Sequence, residues 1–352
     1  MKKVLIVGGG IAGTSVALAL IKRNYDVTLF DNSLRNSATL VAAGMMNPLV
    51  FKRMLFCWRG YEAFDYSTSY YQKQEEEWGI HFLQATQMAK LMHSDHEKKL
   101  WKDNMFKESY NEFLSQQIIP SYLSEQIQSF DAGIVNPIYQ LKTETYLRKA
   151  HEKINESGKV IPSIFDHDQI QLEDNTIQYK GEQYDEVVFA EGRGIEQNPF
   201  FNYLPFKFTK GELILIKASL KLDAVLKKNV FIVPEAKNTF WVGATYDWKN
   251  LNDETTEDGK LQLIEKVASI LKIPFEVIEQ KAGIRPTVAD RRPYIGTHPN
   301  HPRLHVFNGM GTRGVMYAPL LSEEFIDYLE GKSKLAEEIN IQRIPFNSPQ
   351  QS

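Results

Sequence analysis

Val4-Leu5-Ile6-Val7-Gly8-Gly9-Gly10-Ile11-Ala12-Gly13 decides how this chain is read. Four apolar residues, two of them isoleucine or leucine between valines, make one short buried strand. The glycines follow with no spacer, and Thr14 to Lys22 reads as a helix. Tyr25 to Phe30 is a second strand, ending at Asp31, which lies eighteen residues beyond Gly13. Strand, glycine loop, helix, strand and acid within about thirty residues form the dinucleotide-binding fingerprint. Gly8 permits the tight turn out of the strand, Gly10 lets backbone approach a pyrophosphate, and Gly13 lets the helix pack against the strand. The helix start, with Ile11 and Ala12, offers N–H groups and a positive dipole end to phosphate. Asp31, with Asn32 beside it, is placed to accept from a ribose hydroxyl. Nicotinamide and flavin dinucleotides share this opening, so the fingerprint leaves both open.

The same stretch, preceded by Lys2-Lys3, has the outline of a signal peptide or membrane span. Gly8, Gly9, Gly10 and Gly13 inside the apolar run argue against both, and no membrane partner is expected. Working outward, the 352 residues predict two domains. Hydrophobic residues at 43% and charged residues at 24% exclude a disordered chain. A net charge of −3 gives no broad field for nucleic acid. One cysteine, Cys57, excludes an internal disulfide and any cysteine-rich metal centre. A reducing cytoplasm is the expected compartment. The eight histidines show no ligand spacing on a helix, so they read as surface or packing residues and no metal is expected.

Further along, Ala38 to Pro48 is small, then apolar, then broken by proline, and reads as a short helix leading into a loop with close backbone approach. Tyr61 to Trp78 and His96 to Phe113 read as surface helices. Asn136-Pro137 is expected to end a loop, with a helix over Lys142 to Glu156 and a strand at Lys159-Val160-Ile161. Gln169 to Lys180 alternates around Asp174-Asn175 as a hairpin. Glu186 to Ala190 is another buried strand, followed by Glu191-Gly192, where backbone can approach a ligand. After Glu212 the pattern changes to strands separated by turns (Glu212–Ile216, Val230–Val233, Thr239–Thr245), an antiparallel sheet. A helix over Leu261 to Leu271 follows. Strand His305 to Phe307 then leads into a second glycine loop, Gly309-Met310-Gly311-Thr312-Arg313-Gly314, and a helix from Val315 to Glu330.

Taken in order, these segments resemble the D-amino acid oxidase superfamily of flavoproteins, nearest its glycine oxidase and sarcosine oxidase-like branch. The carriers are the first glycine loop, Ala42 to Met45, Val187 to Gly192, Lys210-Gly211-Glu212, Val242 to Thr245, Gly283-Ile284-Arg285-Pro286 with Asp290, Pro293 and Gly296, and the second glycine loop with Pro319. The resemblance implies an α/β chain in which a Rossmann-like FAD-binding domain (1–50, 135–205 and 285–345) is interleaved with a mixed, mostly antiparallel substrate domain (51–134 and 206–284). It implies Thr39, Ala42, Ala43, Gly44 and Met45 along the flavin ring, with Val160, Ala190, Glu191 and Gly192 in the cofactor set. Amides from Gly311 through Thr312, Arg313, Gly314, Val315 and Met316 are implied at the N1/C2-oxygen edge, where the last helix begins. Arg285 and Arg313 are implied as substrate-carboxylate residues, Arg285 foremost, with ion pairs to Asp290 or Glu191 as the structural alternative. Tyr246 is read as a pocket wall or as sheet packing.

The reaction so implied is hydride transfer to flavin from the carbon beside nitrogen of a small amino acid or secondary amine. The family's cysteine for covalent flavin attachment has no counterpart near the second loop, so non-covalent FAD is expected. A second implied function is the same chemistry on a modified wobble uridine, resembling the carboxymethylaminomethyl-uridine-modifying flavin module of transfer RNA. A third is a non-catalytic dinucleotide-binding protein. Arg291-Arg292, with Lys52, Arg53 and Arg59, reads as a basic surface or as the border of a pocket entrance. Substrate identity, oxidase against dehydrogenase chemistry and oligomeric state stay open at this point.

Overall fold

The computed structural model describes residues 1–32, 37–116, 121–128 and 131–346. The chain divides into two compact units, one from Met1–Leu40, Thr143–Thr209 and Ile284–Ser352, the other from Val41–Lys142 and Lys210–Gly283.

The first unit is built on a six-stranded sheet, in the order Tyr294–His298, His301–Asn308, Glu186–Phe189, Lys3–Val7, Asp26–Phe30, Lys159–Ile161. All but the Tyr294–His298 edge strand run parallel. Val4, Leu5, Ile6, Val187, Val188 and Phe189 have no exposed surface, as two-sided coverage of a parallel sheet requires. Helices Ile11–Lys22, Thr143–Ser157 and Gly314–Leu329 belong to this unit. The last continues through Pro319, whose missing N–H falls in a buried turn where the Ser322 hydroxyl donates to the Pro319 carbonyl at 2.8 Å. The hairpin around Asp174-Asn175 is present, Gln171–Leu172 pairing antiparallel with Ile177–Tyr179.

The second unit carries a mostly antiparallel sheet in the order Phe275–Arg285, Thr209–Ala218, Thr239–Gly243, Phe231–Ala236, Val225–Lys227, Leu83–Leu91, Ala132–Leu141, Met45–Met46. Its core gathers Ile214, Ile216, Ile232, Phe240 and Val242 with Leu263 and Val267 from helix Glu257–Ala268, all at most 2% exposed. Thr256 caps that helix by accepting from the Gly259 amide.

Two expectations are corrected. Asn136-Pro137 does not end a loop but lies inside strand Ala132–Leu141. Thr86 pairs with Ile138 and Met88 with Val135, so Gln87 faces two residues, Asn136 and Pro137. The proline sits in this bulge, where a missing donor costs the ladder nothing. The helix expected to Phe113 stops at Met105. Asn104 bonds back to the Leu100 carbonyl at 2.7 Å, and turns follow from Lys107 to Phe113. In the two compact units, 41–50 and 135–142 group with the second, where Met45–Met46 and Ala132–Leu141 are strands of its sheet. Residues 206–209 join the first, through the bridge of Phe206 to Val288 and the Lys207 amide donating to the Thr287 carbonyl at 2.7 Å.

Candidate cofactor site

The first glycine loop is built where the sequence put it. Gly8 has φ +104° and its amide donates to the Phe30 carbonyl at 2.8 Å, closing the turn. At Gly13 the packing is closest: a Cβ would stand 1.9 Å from the Gly8 carbonyl oxygen and 3.3 Å from Ala190 Cβ. Ala190 is 5% exposed, and its carbonyl lies in turn against Gly8. Gly10 precedes helix Ile11–Lys22, which has no acid in its first turn to compete with an anion. At Gly10 the single near atom is the Thr39 hydroxyl oxygen, 3.2 Å from a built Cβ.

Thr39 accepts from the Ile11 amide at 3.1 Å, at the start of the first helix. Ala42 to Met45 lie in the second unit. Gln140 donates to the Ala43 carbonyl at 3.1 Å, Leu141 donates to the Gly44 carbonyl at 2.8 Å, and Met45 pairs with Gln140. Asp31 accepts from the Gly9 amide at 3.3 Å, and Asn32 beside it is exposed. Val160 is half-buried, pairs with Leu29 on the strand that ends at Asp31, and donates to Asn155 at 2.7 Å. Glu191 has both oxygens engaged, one with His167 at 2.8 Å and the other with Asn198 at 2.7 Å. Its contribution to the loop is therefore its backbone, leading into Gly192 at φ +59° with open space beside it.

The second loop stands against the first. Gly309 and Gly311 have φ +87° and +60°, and helix Gly314–Leu329 begins with no acid in its first turn. A Cβ on Gly314 would meet the Ile11 side chain at 3.0 Å, so the starts of the two helices converge. Two amides of the stretch from Gly311 to Met316 are engaged within the chain: the Gly311 amide donates to the Pro286 carbonyl at 3.2 Å and the Arg313 amide to the Met310 carbonyl at 3.3 Å.

The Gly311–Pro286 bond also brings the turn after Arg285 onto this loop, two residues from Arg313. The ion pairs considered for Arg285 are both made with other partners. Asp290 pairs with Arg343, whose guanidinium also donates to the Arg292 carbonyl at 3.1 Å and lies 4.9 Å over the Tyr294 ring, and Glu191 pairs as above. Arg59 pairs with Glu62 at 2.5 Å, and Arg292 lies 3.6 Å from Glu338. Tyr246 follows strand Thr239–Gly243, is 57% exposed and stacks on Trp248 with centroids 6.2 Å apart. Among the described residues no cluster of histidine, cysteine and carboxylates could hold a metal, and no helix is long and apolar enough to cross a membrane.

One contributor was invisible in the sequence. His151, on helix Thr143–Ser157, places Nε2 2.9 Å from the Gly9 carbonyl oxygen and 3.2 Å from the Thr14 hydroxyl. No local signal marks it, since it lies 142 residues from Gly9.

Two glycine-lined helix starts meeting beside a parallel sheet define a dinucleotide-binding protein. The model of a family described as FAD dependent oxidoreductase, DAO, matches residues 3–328, and the chain belongs to this family. It is an enzyme that uses FAD. The residues fit the group: both helix starts are free of acid, Gly192 leaves room beside the backbone, and the loops converge. The tRNA 5-methylaminomethyl-2-thiouridine biosynthesis bifunctional protein MnmC of Idiomarina loihiensis is 24% identical over 94% of this chain and 56% of that protein. The chain thus spans about half the length of such relatives. The glycine oxidase of Geobacillus kaustophilus is 30% identical over 35% of this chain and 34% of its own. The crystal structure of glycine oxidase from that organism superposes with a TM-score of 0.79 at 22% identity, covering 95% of this chain and 96% of that one.

Proposed function

We propose that this chain oxidises the carbon–nitrogen bond of a small amino acid or secondary amine, using non-covalently held FAD. The observation that carries the reading is the Gly311–Pro286 hydrogen bond, which seats the arginine-bearing turn at Arg285 on the second glycine loop. Bound FAD supplies the hydride acceptor. The chain's own task is binding and orientation. Ala12 and Gly13 at the first helix start take the pyrophosphate, and Asp31 takes a ribose hydroxyl. Thr312 and Gly314 at the second start favour negative charge on the reduced ring. Arg285 presents a planar fork to a substrate carboxylate, with Arg313 beside it on the loop. Holding the carboxylate fixes which C–H bond faces the ring, and that alignment is the main source of rate. Once hydride has left, the substrate imine hydrolyses in water and needs no protein nucleophile. The single cysteine, Cys57, belongs to the second unit and packs beside Gly60, which accords with flavin held without a covalent bond.

The test is anaerobic bleaching of the flavin against glycine, sarcosine, D-proline and D-alanine. A small amino acid that bleaches it, with Arg285→Ala raising the half-saturating concentration, is the expected result. No bleaching by any of them removes the reading. A second reading has its own support, since the likeness to MnmC runs over 94% of this chain. In it the amine is carried on a modified uridine of transfer RNA, and bleaching by that nucleotide alone selects it. Binding of transfer RNA whose affinity falls steeply with salt is its independent mark.

A further inference from the structure

Gly9 is the middle glycine of the first loop, and it is gripped from two sides. Its amide donates to Asp31 at 3.3 Å. Its carbonyl oxygen lies 3.0 Å from the Thr14 hydroxyl and 2.9 Å from His151 Nε2. A built Cβ at this position would stand 2.5 Å from Asp31 Cβ and 3.0 Å from His151 Cε1, so the grip leaves no room for a side chain. A carbonyl oxygen only accepts, so His151 carries its proton on Nε2 and donates to it. The Thr14 hydroxyl donates to the same oxygen while standing 3.2 Å from that ring nitrogen.

The consequence follows from peptide geometry. The Gly9–Gly10 bond is trans, and in a planar trans peptide the N–H points opposite to the C=O. With the Gly9 carbonyl drawn inward by two donors, the Gly10 N–H is turned outward, at the start of a helix whose dipole favours an anion. Hydrogen bonds to one carbonyl thus set the aim of the next amide. We propose that His151 is a positioning residue for the cofactor: with Thr14 it pins the Gly9 carbonyl and so turns the Gly10 amide toward the FAD pyrophosphate. The proposal rests on FAD binding and is independent of which substrate is oxidised.

The experiment uses the full chain stripped of flavin. FAD binding is followed by flavin fluorescence and ADP binding by calorimetry, with melting of the flavin-free protein as a fold control. His151→Leu removes the donor, whereas His151→Gln returns an N–H near the place of Nε2. His151→Leu is expected to raise the dissociation constants of FAD and ADP alike by about tenfold, the effect of one lost hydrogen bond, and His151→Gln to restore most of it. Thr14→Val, which removes the companion donor, is expected to weaken both ligands too, and it carries the test should His151→Leu fail to fold. The idea is overturned if the Leu variant binds FAD as well as the parent. It is equally overturned if Gln is no better than Leu, or if ADP binding is unchanged while FAD binding weakens.

Discussion

Gly13→Ala adds one methyl group to the tightest contact of the first loop. The new carbon would stand 1.9 Å from the Gly8 carbonyl oxygen and 3.1 Å from its carbon. Close C···O contacts in proteins lie near 3.3 Å, so about 1.4 Å of separation must be created. Gly8 has little freedom to give it. Its amide is bonded to the Phe30 carbonyl at 2.8 Å, and the neighbouring Ala190 amide is bonded to Val7 at 2.8 Å. On the helix side, a retreat carries Ile11 toward Gly314, where space is already short. Overpacking of this kind costs about 1–3 kcal/mol. Taken up by the loop, that strain weakens FAD binding by about 10- to 100-fold, at about 1.4 kcal/mol per decade. Titration of the flavin-free variant with FAD measures the loss, and thermal melting of the same sample shows whether the sheet has survived. A variant that binds FAD within about twofold of the parent, with an unchanged melt, would refute the close-packing account of this loop.

Arg285→Ala should raise KM for a carboxylate substrate by about 100-fold or more while leaving the flavin spectrum intact, as loss of a charged hydrogen-bonding partner predicts; steady-state kinetics and a visible spectrum decide it. His298 gives a pH dependence with a defined sign. Burial first, then the nearby His301, lowers its pKa to about 4, against about 6.5 in an unfolded chain. The unfolded chain therefore binds the extra proton between these values, so stability is complete above about pH 6.5 and is lost as pH falls toward 4. Melting temperature against pH should show that acid limb, and His298→Phe should flatten it. Lys227 acts with the same sign on the alkaline side: burial first, then Lys90, lower it from 10.5 to about 8, so it too adds stability as pH rises from about 8 toward 10.5. Lys227→Met should remove that rise in a denaturant titration repeated at several pH values. Gly133→Ala should destabilise the second unit by several kcal/mol (about 2–4), because a Cβ there would stand 2.0 Å from the Trp101 ring. A midpoint equal to the parent's in urea would refute that.

The parts of this fold that were legible are the ones whose signal is contiguous. Val4 to Asp31 carries strand, loop, helix and strand in one stretch, and each constrains the next. The strand Leu83–Leu91 carries no sequence signal, because Leu-Gln-Ala-Thr-Gln-Met-Ala-Lys-Leu has little β-branched character. It is strand because Ala132–Leu141 and Val225–Lys227 pair on either side of it. Asn136-Pro137 read as a break because a bulge is defined by the facing strand and leaves no local mark. In the first loop, the tight turn at Gly8 and the close packing at Gly13 are legible from spacing, whereas the bond from the Ile11 amide to Thr39, 28 residues away, is not. His151 reads in the sequence as a surface or packing residue, since nothing in residues 143–157 distinguishes it until the Gly9 carbonyl is brought against it. Engagement of the Gly311 amide by Pro286 was equally hidden, as it joins two segments that the chain order separates.

The strand order of the first unit has a consequence for synthesis. Glu186–Phe189 lies between Lys3–Val7 and His301–Asn308, so its second neighbour leaves the ribosome more than a hundred residues after it. Until then its apolar parallel edge is bare, and a fragment truncated before His301 keeps it so. Premature termination products of this chain should therefore be clients of chaperones and proteases rather than small working domains.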